Sequence, residues 1–245
     1  MLYSRREFFQ YSGAWLGAKW LEGLLGEEQI PSWPLIRVKT DMPYVCIGID
    51  DGWYPSIVEQ FLKIMEEDEG TKFTVFPVGK VMMQSADVWR AVKAAGHVIG
   101  NHSHDHLYVR GKTKERIKRS FRVFEEEDYP EVFGEAFPKP GWARVPFAEA
   151  PVKANQNVRD VLFEMNDFDV HWRRDSYSWN TNGVNNARNR EYCLKNIGQL
   201  VQGDIGVIHF SSLDMAILPA LLSNLAERGL VNVPFPVLWE ARRDK

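Results

Sequence analysis

From residue 41 onward the apolar positions follow two alternating rhythms. Tyr44 to Ile49 is a short continuous apolar run, the pattern of a strand buried on both faces. Phe73 to Val78, His97 to Gly100, Asp169 to Trp172 and Ile205 to His209 read the same way. Between these runs apolar residues recur at helical spacing. Pro55 to Glu67 carries Ile57, Val58, Phe61, Ile64 and Met65, with Pro55 at its start and Gly70 after its end. Asp87 to Ala95 turns Val88, Ala91, Val92 and Ala95 inward, and Gly96 fits its C′ position. Thr113 is the expected cap of a longer helix with Ile117, Phe121 and Phe124 on one face. Its charges, Lys112 to Arg122 and Glu125 to Asp128, are expected to form a solvated face. Val158 to Met165, Glu191 to Val201 and Ile217 to Arg228 complete the helices. Pro138 to Pro146 reads as a loop, and Val231 to Leu238 as a last extended stretch.

Strands that alternate with helices predict a parallel β/α architecture. Asp50, Asp51, His102 and His209 then all fall at the C-terminal ends of predicted strands. In β/α barrels that end carries the active site. The residue types agree. An Asp-Asp pair before Gly52 and histidines in His102-Ser103-His104-Asp105-His106 supply the Asp, His, His set of an open zinc-type site. The spare carboxylate beside a ligand is placed to be a base for water. His104 shares an alternating spacing with His102 and His106, so the spacing alone leaves the ligand pair open.

Composition narrows the reading. A chain of 245 residues suffices for one substantial α/β core. The net charge of -3 gives no electrostatic case for nucleic acid as partner. The nine tryptophans suit either core packing or the flat C–H faces of sugars. Cys46 lies in the first apolar run and is expected to be a buried free thiol; Cys193 lies in a predicted helix, and nothing supports a disulfide between them.

The N-terminus has two readings. Ser4-Arg5-Arg6-Glu7-Phe8-Phe9 resembles a twin-arginine export signal, followed by a moderately apolar stretch from Tyr11 to Leu25. Lys19 and Glu22 interrupt that stretch, and no small-x-small cleavage site follows. Trp15, Leu16, Trp20, Leu21, Leu24 and Leu25 also share one helical face. Residues 1–30 are therefore expected to be an export signal, with an exported or envelope location, or an amphipathic helix on a cytoplasmic protein. Neither reading includes an integral membrane span. The oligomeric state is not legible.

From about residue 43 to 238 the chain resembles polysaccharide deacetylases of the NodB-homology type, carbohydrate esterase family 4. Ile47-Gly48-Ile49-Asp50-Asp51-Gly52 looks like the family's T-F-D-D-G motif. Gly96-His97-Val98-Ile99-Gly100-Asn101-His102-Ser103-His104-Asp105-His106 looks like its second motif, built around H-[ST]-x-x-H, and Lys72 to Phe76 like its K-A-T-F-F strand. Arg144-Val145-Pro146-Phe147, Asp175-Ser176-Tyr177-Ser178-Trp179 and the run ending in His209 are similar to the third, fourth and fifth motifs. The resemblance implies a distorted (β/α)7 barrel, with residues 41–245 as the catalytic domain. It implies Asp51, His102 and His106 as ligands of a divalent metal; Zn²⁺ suits that set best, and Co²⁺, Ni²⁺ or Mn²⁺ also fit. It assigns Asp50 as general base, His209 as general acid, and Arg144 as the partner that holds Asp50 ionised. Pro146, Phe147, Trp179 and Val207 are expected to wall a pocket for the acetyl methyl. The activity implied is metal-dependent deacetylation of an acetylated carbohydrate, above all N-acetylated amino sugars of a peptidoglycan or chitin-like polymer. O-acetyl ester cleavage on a xylan-like polymer, or a non-catalytic carbohydrate-binding or envelope protein on the same fold, are the alternatives. Three departures stand out. Ser178 replaces the second Asp of the fourth motif, Phe210 an Asp that often follows the histidine, and Val145 a Pro. Asp175 or another carboxylate would have to stand in for the missing one.

Overall fold

The computed structural model describes residues 34–68, 70–134, 139–148 and 156–243. The N-terminal expectations, on residues 1–30, lie outside them. Among the described residues no helix is long and apolar enough to cross a membrane.

The central strand is β1 (Tyr44–Asp51). It pairs in parallel with β2 (Thr74–Pro77) on one side and β7 (Ile205–His209) on the other, in a register that sets Asp50 beside His209. Strand β3 (Val98–Ile99) extends the sheet from β2, and β6 (Arg174–Asp175) from β7, again in parallel. Strands β4 (Trp142–Ala143) and β5 (Phe168–Asp169) form a separate parallel pair. The Asn101–Ala143 bridge ties that pair to the end of β3. Leu35 and Ile36 close the other side, bonding to Asp169, His171 and Ile205. The seven strands thus run in chain order around a ring with thin seams, the distorted (β/α)7 barrel. A short β8 (Val231–Asn232) adds to β1 at its entry end.

The pleat of β1 divides the core. Val45, Ile47 and Ile49 face outward into one apolar layer with α1 (Pro55–Glu66), α3 (Ala86–Ala94) and α8 (Ser212–Glu227). Val58, Phe61, Trp89, Leu218 and Leu221 fill that layer. Cys46 lies on the opposite face with Phe76, Val170 and Ile205, where Phe235 and Leu238 of α9 (Phe235–Glu240) close the barrel from below. Both cysteines are free and buried. A third layer joins α4 (Lys114–Val123), capped by Thr113, to α6 (Gln156–Met165) through Ile117, Phe121, Val158 and Val161.

Several elements differ from expectation. The stretch to Leu238 is extended only as far as Asn232 and then turns helical, with Pro236 in the first turn, where no N–H is needed. The loop before Pro146 contains β4, because Trp142 and Ala143 find partners in β5. The short α2 (Gly79–Gln84) and α5 (Tyr129–Phe133) have too few turns to show a period. Between α4 and α5 the chain takes a π turn, Phe124–Asp128, which buries Glu125 and Asp128. These two are therefore not part of a solvated face: Glu125 accepts from Asn101 and Lys139, and Asp128 pairs with His104. Helix α8 begins well before Ile217, because Ser211 caps it by accepting the N–H of Asp214 at 3.0 Å. α7 (Ala187–Ile197) likewise starts early, capped by Asn186.

Candidate active site

The residues at the top of the barrel are set by the end of β1. Asp50 keeps the inward face, and its Oδ1 accepts from Arg144 Nη1 at 2.8 Å. Arg144 is itself wholly buried. Its Nε donates to the Val170 carbonyl at 2.8 Å, and its guanidinium lies over the Phe76 ring at 4.3 Å. Gly48, two residues before Asp50 on the same face, makes room: a Cβ there would sit 2.3 Å from Arg144 Nη1. After Asp50 the chain leaves the sheet through two positive φ angles, 80° at Asp51 and 89° at Gly52. A Cβ on Gly52 would also strike the Trp89 ring at 2.4 Å, so only glycine fits there.

Asp51 meets His102 and His106. Its Oδ1 lies 3.4 Å from His102 Nε2 and 3.1 Å from His106 Nε2, and the three ligand atoms fall within 4.8 Å of one another. His102 Nδ1 is 2.7 Å from the Arg144 carbonyl oxygen, which can only accept. The ring proton is therefore on Nδ1, and Nε2 presents its lone pair to the cluster. Asp51 Oδ1 is buried without a hydrogen bond of good geometry, although two ring nitrogens approach it. Lone pairs that converge on a point without bonding each other fit a shared cation, and this N, N, O donor set suits a Zn²⁺-type ion. Burial pushes the Asp51 carboxyl up; when no cation lies between them, protonated His102 and His106 rings outweigh it and hold it well below the usual carboxylate range.

His104 does not join this cluster. It turns to Asp128, 2.8 Å from Nδ1 to Oδ2. The loop is pinned elsewhere: Asn101 Oδ1 accepts from the Ser103 N–H at 2.9 Å, and Ser103 Oγ accepts from the Leu107 N–H at 3.1 Å. Ser103 and His106 take positive φ, 62° and 53°. With Asp51, Phe147 and Tyr177, they make five of the seven non-glycine positive φ angles among the described residues cluster at this site.

His209 ends β7 on the far side of Asp50. Its Nδ1 lies 3.9 Å from Asp214 Oδ2. Burial lowers its pKa, but Asp51, Asp50, Asp214 and Asp175 together raise it above the ordinary value. The departures have visible consequences. Ser178 donates to Asp214 Oδ2 at 2.5 Å. Asp175 accepts from the Tyr177 N–H at 2.6 Å and from Trp179 Nε1 at 3.4 Å, so it serves the Trp179 loop. Phe210 points into the outer layer, edge-on to Phe61 and Trp89. Val145 is buried beside Arg144.

The expected pocket residues divide by depth. Val207 is fully buried on the His209 face of β7, and Pro146 is buried. Phe147 is 56% exposed, its ring 4.4 Å from that of His106, and Trp179 is 62% exposed. Trp53, Tyr54, Tyr108 and Tyr177 are exposed too; Trp53 stands edge-on to His106, Tyr108 to Phe147 and Tyr177 to Trp179. Sequence reading did not single out these four or Asp214. The signals were there: Trp53-Tyr54 directly follows the Asp-Asp-Gly turn, and Ser211-x-x-Asp214 is a helix-start pattern just beyond His209.

Residues 37–165 match the family described as polysaccharide deacetylase. An uncharacterized protein of Bacillus subtilis, YlxY, is 23% identical over 82% of this chain, which spans 59% of that protein's length. A peptidoglycan-N-acetylglucosamine deacetylase of Bacillus cereus is 23% identical over 79% of this chain and 86% of its own. Among solved structures, a carbohydrate esterase family 4 pseudoenzyme from Bacillus anthracis superposes with a TM-score of 0.73 at 16% identity, over 87% of this chain and 71% of that one. The match over residues 37–165, the shared barrel and the motifs gathered at its top agree: the chain belongs to the polysaccharide deacetylase family of NodB type, carbohydrate esterase family 4.

Proposed function

We propose that this protein is a metal-dependent deacetylase of N-acetylated amino sugars within a polysaccharide, with a peptidoglycan-like or chitin-like polymer as substrate class. The observation that carries the reading is the convergence of Asp50, paired with buried Arg144 and set beside His209 by the strand register, on the Asp51, His102, His106 cluster. A divalent ion on that cluster would supply Lewis acidity to the acetyl carbonyl and to water. Asp50 takes a proton from the attacking water as its oxygen bonds to the acetyl carbon. His209 gives a proton from its ring to the sugar nitrogen as the C–N bond breaks, so that acetate and a free amine leave. Phe147, Trp179 and Val207 confine the methyl group and the sugar. An exported or envelope location through residues 1–30 would bring the protein to such a polymer.

A non-catalytic role is the second reading. It draws on the pseudoenzyme among the structural relatives and on Ser178. The complete set of Asp50, Asp51, His102, His106 and His209 favours turnover.

Acetate release from an N-acetylglucosamine oligomer by zinc-reconstituted protein tests the proposal. Asp50→Asn is expected to bind zinc as the wild type does and to lose about two or more orders of magnitude in kcat. Release from O-acetylated xylan alone would reassign the substrate. No release from either, with zinc bound, would leave the non-catalytic reading.

A further inference from the structure

We propose that Asp214, the third residue of α8, is the positioning residue for His209: its carboxylate replaces the one missing at position 178, orienting the imidazole through Nδ1 and stabilising its positive charge. This rests on the deacetylase reading above. Asp214 has no exposed surface. Its Oδ2 accepts from Ser178 Oγ at 2.5 Å, from the His209 N–H at 2.9 Å and from Ser211 Oγ at 3.1 Å, and lies 3.9 Å from His209 Nδ1. Both His209 Nδ1 and Asp214 Oδ1 are buried without a hydrogen-bond partner. A small rotation of the ring would bring the two residues into contact, and catalytic hydrogen bonds are often long before substrate binds.

Four carboxylates face His209: Asp50 and Asp51 from β1, Asp175 from β6 and Asp214 from α8. Three are committed elsewhere. Asp50 holds the Arg144 guanidinium, Asp51 belongs to the ligand cluster, and Asp175 bonds the Trp179 loop. Asp214 has only neutral hydrogen-bond partners and is the carboxylate that lies 3.9 Å from His209 Nδ1, so its charge is left to act on the imidazole. The adjoining Cys193 thiol of α7 is pushed up to about 12 by burial and by Asp214 and Asp175, and stays uncharged. Ser178 and Asp214 share one hydrogen bond, so hydroxyl and carboxylate can be exchanged across it with little change in volume.

The test uses the full chain with zinc, measuring acetate release across pH for wild type, Asp214→Asn and the exchange variant Ser178→Asp/Asp214→Ser. Asp214→Asn is expected to lose at least about tenfold in kcat, part of what a general acid contributes, with KM nearly unchanged. Its alkaline limb should move to lower pH, because the protonated imidazole loses a stabilising charge. The exchange variant should recover both rate and limb. Folded Asp214→Asn with unchanged kcat and limb overturns the proposal, and so does a folded exchange variant as slow as the single one. If Asp214→Asn does not fold, the exchange variant decides. If the wild type releases no acetate, the deacetylase reading fails separately, and an NMR titration of His209 still tests the pairing: a lower midpoint in Asp214→Asn supports it, an unchanged midpoint overturns it.

Discussion

Gly48 shows how a single residue fixes the proposed base. The absent side chain is what lets Arg144 lie flat against β1 and reach Asp50. Gly48→Ala places a methyl inside the guanidinium, which cannot yield because Phe76 lies over it and Val170 holds Nε. We expect overpacking to cost about 1–3 kcal/mol and the rate to fall as Asp50 loses its partner; thermal unfolding and kcat measured together check this. Arg144→Leu should do more. It strands a buried carboxylate, a loss of about 3–5 kcal/mol in a denaturant titration. Arg144→Lys is not expected to restore activity, because one ammonium cannot span Asp50 and the Val170 carbonyl as the planar fork does. Recovery by lysine would show that charge alone suffices.

At the scale of elements, the short strands depend on side chains as much as on ladders. His97 precedes β3, and its Nδ1 accepts the Phe73 N–H at 3.2 Å just before β2. Burial and the nearby Lys72 push its pKa down to about 3. The sign follows. The unfolded chain binds a proton at His97 below its ordinary value of about 6.5 while the native state stays neutral, so stability falls as pH drops from there toward 3. Between pH 7 and pH 5 this one group should remove about 2 kcal/mol, and His97→Gln, which keeps an acceptor, should flatten that part of the curve. An equal slope in the variant would disprove it. The same scale shows what could be read in the chain. Runs such as Tyr44 to Ile49 and Ile205 to His209 were legible because apolar side chains on both faces leave no other place for them. With them came Asp50, Asp51 and His209, at the strand ends. Strand β4 and helix α9 were not legible: their state depends on partners, Phe168 and Asp169 for one and the barrel floor for the other. Asp214 is not legible because the apolar spacing marks the helix only from Ile217, beyond the Ser211 cap that makes Asp214 a first-turn residue.

For the molecule as a whole, the rim says what kind of ligand the barrel mouth fits. Trp53, Tyr54, Tyr108, Phe147, Tyr177 and Trp179 are all large and all substantially exposed, with Tyr54 at 67%. Two short groups of ring contacts order five of them: Trp53 and Phe147 beside His106, with Tyr108 against Phe147, and Tyr177 with Trp179. Exposed aromatics gathered this way mark a binding surface rather than a core. A polymer crossing the mouth offers successive sugar faces that can stack on each group in turn. Affinity should therefore grow with chain length: KM is expected to fall from the N-acetylglucosamine dimer to the hexamer while kcat changes little. Trp179→Ala should raise KM for the hexamer about tenfold, the loss of roughly 1.4 kcal/mol of ring contact, and should leave the dimer less affected. The contrast between the two lengths carries the argument, because a damaged site would slow both alike. A KM independent of length, with Trp179→Ala equally harmful to both, would make the rim a structural feature and the substrate a small acetylated sugar.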